Sequence, residues 1–436
     1  MKTLITSATS HNRLLGRDSD EYLVLNIAIE DGKVSQISEA EIEGAFDQVI
    51  DASGLFLSPG LVDPQVHFRE PGMEYKEDIE SGSKAAVKGG FTTVISMPNT
   101  SPTADNPDTV RFMAQRSKDV GICKVLPTGS LSHSLAGQTL TDFAALKEAG
   151  AVAITDDGKG VQKDEIFKEA MVKAKAVNLA ILDHSEDESL SDGGAIHAGK
   201  VAAQFGIKGI KPESESVHVE RGCQMSQETG AHYHVLHVST KASIDAVRAA
   251  KAKNINVTVE VSPHHLLLCD EDIKVKDDNT LDANWKMNPP LRSKADKLAC
   301  QEALLDGTID AIATDHAPHS PDEKAQHIEA APFGIIGLET AFPLIYTHFV
   351  KTEKLTLSRC IDLMSKQAGG LFNIDCGRIQ VGADADLCLF DLESPFEVSP
   401  EFFASKSKNS PFIGQTLYGQ TRYTLMNGNV VFANKP

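Results

Sequence analysis

The chain has 436 residues, 41% hydrophobic and 24% charged, which fits one large α/β domain of roughly 250–300 residues plus a smaller unit. Its formal net charge of −19 argues against nucleic acid or an acidic membrane surface as the main partner, although one local arginine can still hold a small anion. The seven cysteines (Cys123, Cys223, Cys269, Cys300, Cys360, Cys376 and Cys388) form no Cys-x-x-Cys pair and read as reduced thiols of a cytoplasmic protein; the first residues lack the apolar core of a signal peptide, and no stretch approaches the roughly 18 apolar residues of a membrane span.

Residues 1–57 alternate short apolar runs with turn signals. Tyr22 to Glu30 is strand-like, Asp31-Gly32 is a hairpin turn, and Val34 to Ile37 returns. Residues 376–436 look similar, with a strand over Ala385 to Asp391 and a second hairpin around Asn427-Gly428. Neither end is long enough to close a good core alone, so the two are expected to fold together as one β-sandwich.

Residues 58–375 carry a repeating β–α pattern. Strand runs are read at Leu61–His67, Thr92–Met97, Lys124–Pro127, Val152–Thr155, Ala180–Asp183, Tyr233–Val238, Val257–Val261 and Ala311–Ala313. Helical stretches such as Ile79 to Lys88 and Asp142 to Glu148 separate them. Eight such units predict an α/β fold of the (β/α)8 TIM-barrel type, with an open doubly wound sheet as the alternative.

In such barrels the chemistry sits at the C-terminal ends of the strands. His67, Asp157, His184, His237 and Asp315 all fall there. Three imidazoles and two carboxylates suit Zn²⁺ or a similar divalent ion, and a shared carboxylate could bridge two ions. Asp315, on the last strand, is placed to accept and return a proton. On the first strand, period-two alternation points Asp63, Gln65, His67 and Arg69 one way, a polar row suited to a metal and an anion. Four features take blander readings. His264-His265 are structural, since adjacent strand residues face opposite sides; His232 and His234 share a face but not with His237. Glu186-Asp187-Glu188 is a solvated loop or helix start, and Pro318 to Pro332 is either a mobile lid or a static loop.

Several stretches together resemble the dihydroorotases of the bacterial class I type, in the amidohydrolase superfamily. They are Val66-His67-Phe68-Arg69-Glu70-Pro71-Gly72, Met97-Pro98-Asn99-Thr100, Thr155-Asp156-Asp157-Gly158, His237-Val238-Ser239-Thr240, Glu260 to His265, Lys286 to Arg292, Ala313 to His319, Ala331 to Gly334 and Gly382 to Leu387. The resemblance implies a zinc-dependent cyclic amidohydrolase that interconverts N-carbamoyl-L-aspartate and L-dihydroorotate in pyrimidine biosynthesis, using a hydroxide drawn from metal-bound water. It implies Asp157 as the carboxylate shared by two ions (with Asp156 the weaker candidate), His67 and Asp315 on one ion, and His184 and His237 on the other. Asp315 would be the general acid/base. Arg69, Asn99 and His319 would hold the substrate carboxylate, and Asn288 with the Phe333-Gly334 backbone would meet the ring.

One residue departs from the pattern. The family usually has Asp-x-His-x-His on the first strand, where this chain has Asp63-Pro64-Gln65-Val66-His67. A glutamine carbonyl is a weaker, neutral ligand than imidazole, so the first position is weak and the site holds one zinc ion or two. Two other readings follow. One is a different cyclic-amide hydrolase, a hydantoinase or allantoinase, against which Arg69 and Asn99 argue. The other is a non-catalytic paralogue serving as structural partner of aspartate carbamoyltransferase, which only Gln65 supports. A homodimer is the base-rate expectation.

Overall fold

The computed structural model describes residues 1–434. Eight short parallel strands follow one another through its middle: β1 Leu61–Val66, β2 Phe91–Ser96, β3 Lys124–Pro127 with Gly129–Ser130, β4 Ala153–Thr155, β5 Ala180–Asp183, β6 Tyr233–Val235, β7 Val257–Val261 and β8 Ala311–Ile312. Each pairs in parallel with the next, for example Val94 with Val125, Ile154 with Ile181 and Glu260 with Ala311. The third strand breaks at Thr128; its first half pairs with β2 and its second with β4. A Cβ on Gly129 would meet Leu146 Cδ1 at 2.7 Å, so only glycine lets the strand resume there. The ring closes where Val66 bridges His316 and the His67 N–H donates to His316 O at 2.8 Å. The barrel expected from the sequence is therefore present, and the open-sheet alternative is excluded.

The crossover helices form where capping residues meet apolar periodicity. Asp78 accepts from the Ser81 N–H at 2.7 Å to start Ile79–Lys88, and Asp142 caps Phe143–Ala149. Their apolar faces join Phe68, Phe91, Phe167 and Tyr233 in one continuous core. Among the described residues no helix is long and apolar enough to cross a membrane.

The two chain ends do fold together. Lys2–His11, Tyr22–Glu30, Lys33–Ser38, Gln48–Asp51 and Phe56–Pro59 join Leu387–Asp391, Gln420–Met426 and Asn429–Ala433 in one eight-stranded mixed sheet. The junction is Phe56–Pro59 against Leu387–Asp391, antiparallel. Alternation decides the faces. Leu387 and Leu389 enter a core with Ile5, Ile27 and Leu57, while Cys388 and Phe390 turn to the barrel. The two hairpin tips, at positive φ on Asp31, Gly32, Asn427 and Gly428, touch although their strands lie far apart in the sheet order. The sandwich is thus one sheet curled over a single core. Between its C-terminal strands the chain leaves the sheet, and Phe403, Phe412 and Leu417 pack with Met287, Leu291 and Ile336 at the barrel rim.

The barrel interior is polar beneath the rim. His232 and His234 each lie 2.7 Å from Thr258 Oγ1, and His234 Nε2 lies 3.0 Å from Glu260 Oε2. Burial pushes the Glu260 carboxyl up to about 8 and His234 down to about 3, so the pair is a neutral acid donating to a neutral imidazole. A raised carboxyl binds its proton more tightly in the folded state. Its stabilising effect is present at low pH and is lost as pH climbs from about 4 towards 8. The neutral isostere Glu260→Gln is expected to raise the thermal midpoint relative to the native chain at pH 8 and to do so less at pH 5, a difference scanning calorimetry reads directly.

Candidate active site and metal centre

The C-terminal ends of the barrel strands converge on a cavity of about 340 Å³. Every residue expected in the site lines it except Gln65, which is fully buried alongside. His67 directly follows β1, Asp157 lies two residues past β4, His184 follows β5, His237 lies two past β6, and Asp315 three past β8. His237 and Asp315 adopt φ of 34° and 50°. Such backbone is costly for residues with a Cβ and concentrates where side chains must be aimed.

Three of these groups form a compact set. His184 Nδ1 and His237 Nε2 are 3.0 Å apart, and Asp157 Oδ1 lies 3.5 and 3.6 Å from them. Tetrahedral zinc with bonds of about 2.0–2.1 Å spaces its ligand atoms about 3.3 Å apart. All three side chains are buried, and two imidazole nitrogens face each other beside a carboxylate. That is a donor set shaped for a divalent cation. Burial opposes ionisation of Asp157, but hydrogen bonds from His184, His237 and His67 outweigh it and hold the carboxyl well below the usual range. His184 is likewise drawn up to about 10 against the effect of burial, by Asp157 and Glu186. The centre thus carries the negative potential that a cation neutralises.

The other half of the centre is built differently. His67 Nε2 sits 3.0 Å from Asp315 Oδ1 and 3.2 Å from Asp157 Oδ2. Its Nδ1 lies 2.9 Å from Asn99 Oδ1, so Asn99 orients this ring and has only its amide nitrogen to offer elsewhere. Gln65 Nε2 donates to Asp157 Oδ2 at 2.9 Å, and Gln65 Oε1 is buried without a partner.

Arg69 lies across the cavity, 7% exposed. Nε donates to Pro318 O at 3.4 Å, and a terminal nitrogen lies 3.5 Å from His319 Nε2. Among the described residues no carboxylate lies within 4.0 Å of it, and burial lowers it to about 10. His319 Nε2 donates to Phe333 O at 2.8 Å and Lys76 Nζ approaches its Nδ1 at 3.4 Å. Burial, then Arg69, Lys76 and Lys324, push His319 down to about 2, so the imidazole is neutral beside three cations. Gly334 completes the wall, but its N–H donates to Lys286 O and its carbonyl accepts from Asn409.

Glu186 requires a correction. Asp187 does cap the short helix Glu188–Ser191 as the sequence suggests, but Glu186 turns inward. Its Oε2 accepts from Asn288 Nδ2 at 2.7 Å and lies 3.0 Å from His184 Nε2, which fixes the ring with Nδ1 towards the cation set. Asn288 is thereby engaged with Glu186. Asp156 points away, accepting from the Ser132 N–H at 2.9 Å. His265 Nε2 meets Pro289 O on a short helix, Pro263–Leu267, outside the cation set. The 318–332 segment is held: Lys324 Nζ donates to Pro332 O at 2.9 Å and Lys286 Nζ to Ala331 O at 2.7 Å.

A closed parallel barrel with a buried His/Asp cation set at the strand ends, flanked by a sheet from both chain ends, defines a metal-dependent amidohydrolase. The comparisons agree. Residues 54–243 match the dihydro-orotase-like family and residues 245–432 the amidohydrolase family. The chain is 49% identical to the dihydroorotase of Geobacillus thermodenitrificans over 97% of both chains. It is 50% identical to that of Brevibacillus brevis over 95% of this chain and 96% of the other. Its fold is similar to the L-hydantoinase of Arthrobacter aurescens, with a TM-score of 0.85 at 26% identity over 99% of this chain and 96% of that one. The chain belongs to the dihydroorotase family.

Proposed function

We propose that the protein interconverts L-dihydroorotate and N-carbamoyl-L-aspartate, with zinc as its cation. The observation that carries the substrate class is Arg69. A buried guanidinium with no carboxylate near it is costly unless a ligand supplies one, and Arg69 shares its cavity with the cation set. Both dihydroorotate and its open form offer that carboxylate; an uncharged hydantoin does not. Identity near 50% to dihydroorotases, against 26% to the L-hydantoinase, points the same way.

In the ring-opening direction water adds to the ring carbonyl carbon, the bond from that carbon to the ring nitrogen breaks, and the nitrogen takes a proton. Zinc would be held by Asp157, His184 and His237, and it supplies the Lewis acidity that makes such an attack feasible at neutral pH. Asp315 takes the proton from the attacking water and returns it to the leaving nitrogen. His67, 3.0 Å from Asp315 Oδ1, holds that carboxylate in place. Arg69 binds the substrate carboxylate, assisted by the Asn99 amide nitrogen and the neutral His319. Asn288 and the Phe333-Gly334 wall confine the ring.

The non-catalytic reading, a structural partner of aspartate carbamoyltransferase, fits less well. A decayed site loses several groups, whereas only Gln65 departs here. Ring opening of L-dihydroorotate by the purified, zinc-supplied protein is the direct test; no turnover in either direction would overturn the proposal. Arg69→Lys keeps the charge but loses the planar fork. It is expected to lower kcat/KM by about 10–10²-fold, mostly through KM, as for loss of a charged hydrogen bond of about 1.5–3 kcal/mol. Steady-state kinetics would show this.

A further inference from the structure

Asp157 has two oxygens, and the structure treats them differently. Oδ1 faces His184 and His237, the compact cation set. Oδ2 faces Gln65 Nε2 at 2.9 Å and His67 Nε2 at 3.2 Å. A second ion shared through Oδ2 would need a lone pair that the Gln65 amide now occupies. It would also need a fourth ligand from Gln65, whose N–H and not its carbonyl is turned to the carboxylate. The opposite amide orientation would press Oε1 against Asp157 Oδ2, oxygen on oxygen. Position 65 lies in the β1 strand and is fully buried, so the side chain has little room to turn elsewhere.

We infer that this protein holds one divalent ion per active site, on Asp157, His184 and His237, and that the Gln65 amide takes the place of a second ion by donating to Asp157 Oδ2. The inference rests on the dihydroorotase reading. Gln65 is then a positioning residue. Its N–H fixes the carboxylate plane so that Oδ1 stays on the ion, and it leaves His67 and Asp315 as a hydrogen-bonded pair without a metal between them. An amide carbonyl is a weak, neutral oxygen donor for zinc compared with imidazole, so a change of this one side chain sets the stoichiometry.

The test is metal counting on the full-length protein. Native, Gln65→His and Gln65→Glu chains are dialysed against excess zinc and then metal-free buffer, counted by mass spectrometry, and checked for folding by circular dichroism. The expected result is one zinc per native chain and two per Gln65→His chain. Gln65→Glu, whose carboxylate faces Asp157 and needs a cation between, is expected to hold two and serves if the histidine variant does not fold. Two tightly held ions in the native chain would overturn the inference. So would one ion in the native chain and still one in both folded variants, because Gln65 would not then set the number. If neither variant folds, the native count decides. Turnover with two ions would sink this inference alone, whereas absence of both metal and turnover would sink the functional reading with it.

Discussion

Asp315→Asn should lower kcat by about 10²–10⁴-fold, the usual contribution of a general acid/base, while leaving KM and zinc content nearly unchanged. Asp315 lies outside the compact cation set, so its replacement spares the metal. It sits at φ 50°, a conformation that asparagine accepts better than most residues, so the variant adds little backbone strain. The amide matches the carboxylate in size and still meets His67, but it has no basic oxygen to take up the proton of water. Kinetics with metal counted on the same sample separate the cases. Retained kcat would move proton transfer to another group, and loss of zinc along with activity would make Asp315 a ligand first.

How much of this was legible in the sequence depended on whether local rules held to the end of each strand. The eight strands were legible because each is a short apolar, β-branched run covered on both faces. His67 and His184 were legible because they stand immediately after such runs. His237 shows where the rule fails. Period-two alternation places it opposite His232 and His234, but the strand stops at Val235 and the backbone turns to positive φ at His237. The chain itself re-aims that imidazole, and strand parity no longer applies. His264-His265 are a milder case, since they lie on a helical turn and not a strand.

Glu186 was read as part of a solvated acidic run because its two acidic neighbours in sequence are solvated. The one local signal was its distance of two residues from His184, which lets a carboxylate reach back to the outer nitrogen of a ring whose inner nitrogen faces a cation. Lys76, Lys286 and Lys324 were missed for a different reason. Lysines are rarely buried, and nothing nearby in the sequence marks these three as anchors of the segment bearing His319 and Phe333. Only the folded chain brings the accepting carbonyls together.

The larger effect is expected from Asp157→Asn. Both oxygens of Asp157 are committed, Oδ2 to Gln65 and His67 and Oδ1 to the space between His184 and His237. An asparagine must turn its amide nitrogen one way or the other. Towards Gln65 it sets donor against donor; towards the histidines it removes the only anionic ligand of the set. Either way the cation loses its charge partner, and zinc content should fall well below one per chain. Without the cation, the pKa of the attacking water returns from about 7 towards 15.7, and turnover should fall by more than about 10⁴-fold at neutral pH. Asp156→Asn is the matched control. Its side chain bonds Ser132, away from the imidazoles, so zinc should stay bound and the protein active. Metal counts on the two variants decide between adjacent carboxylates that sequence alone leaves almost equivalent. Zinc kept by Asp157→Asn and lost by Asp156→Asn would reverse the ligand assignment.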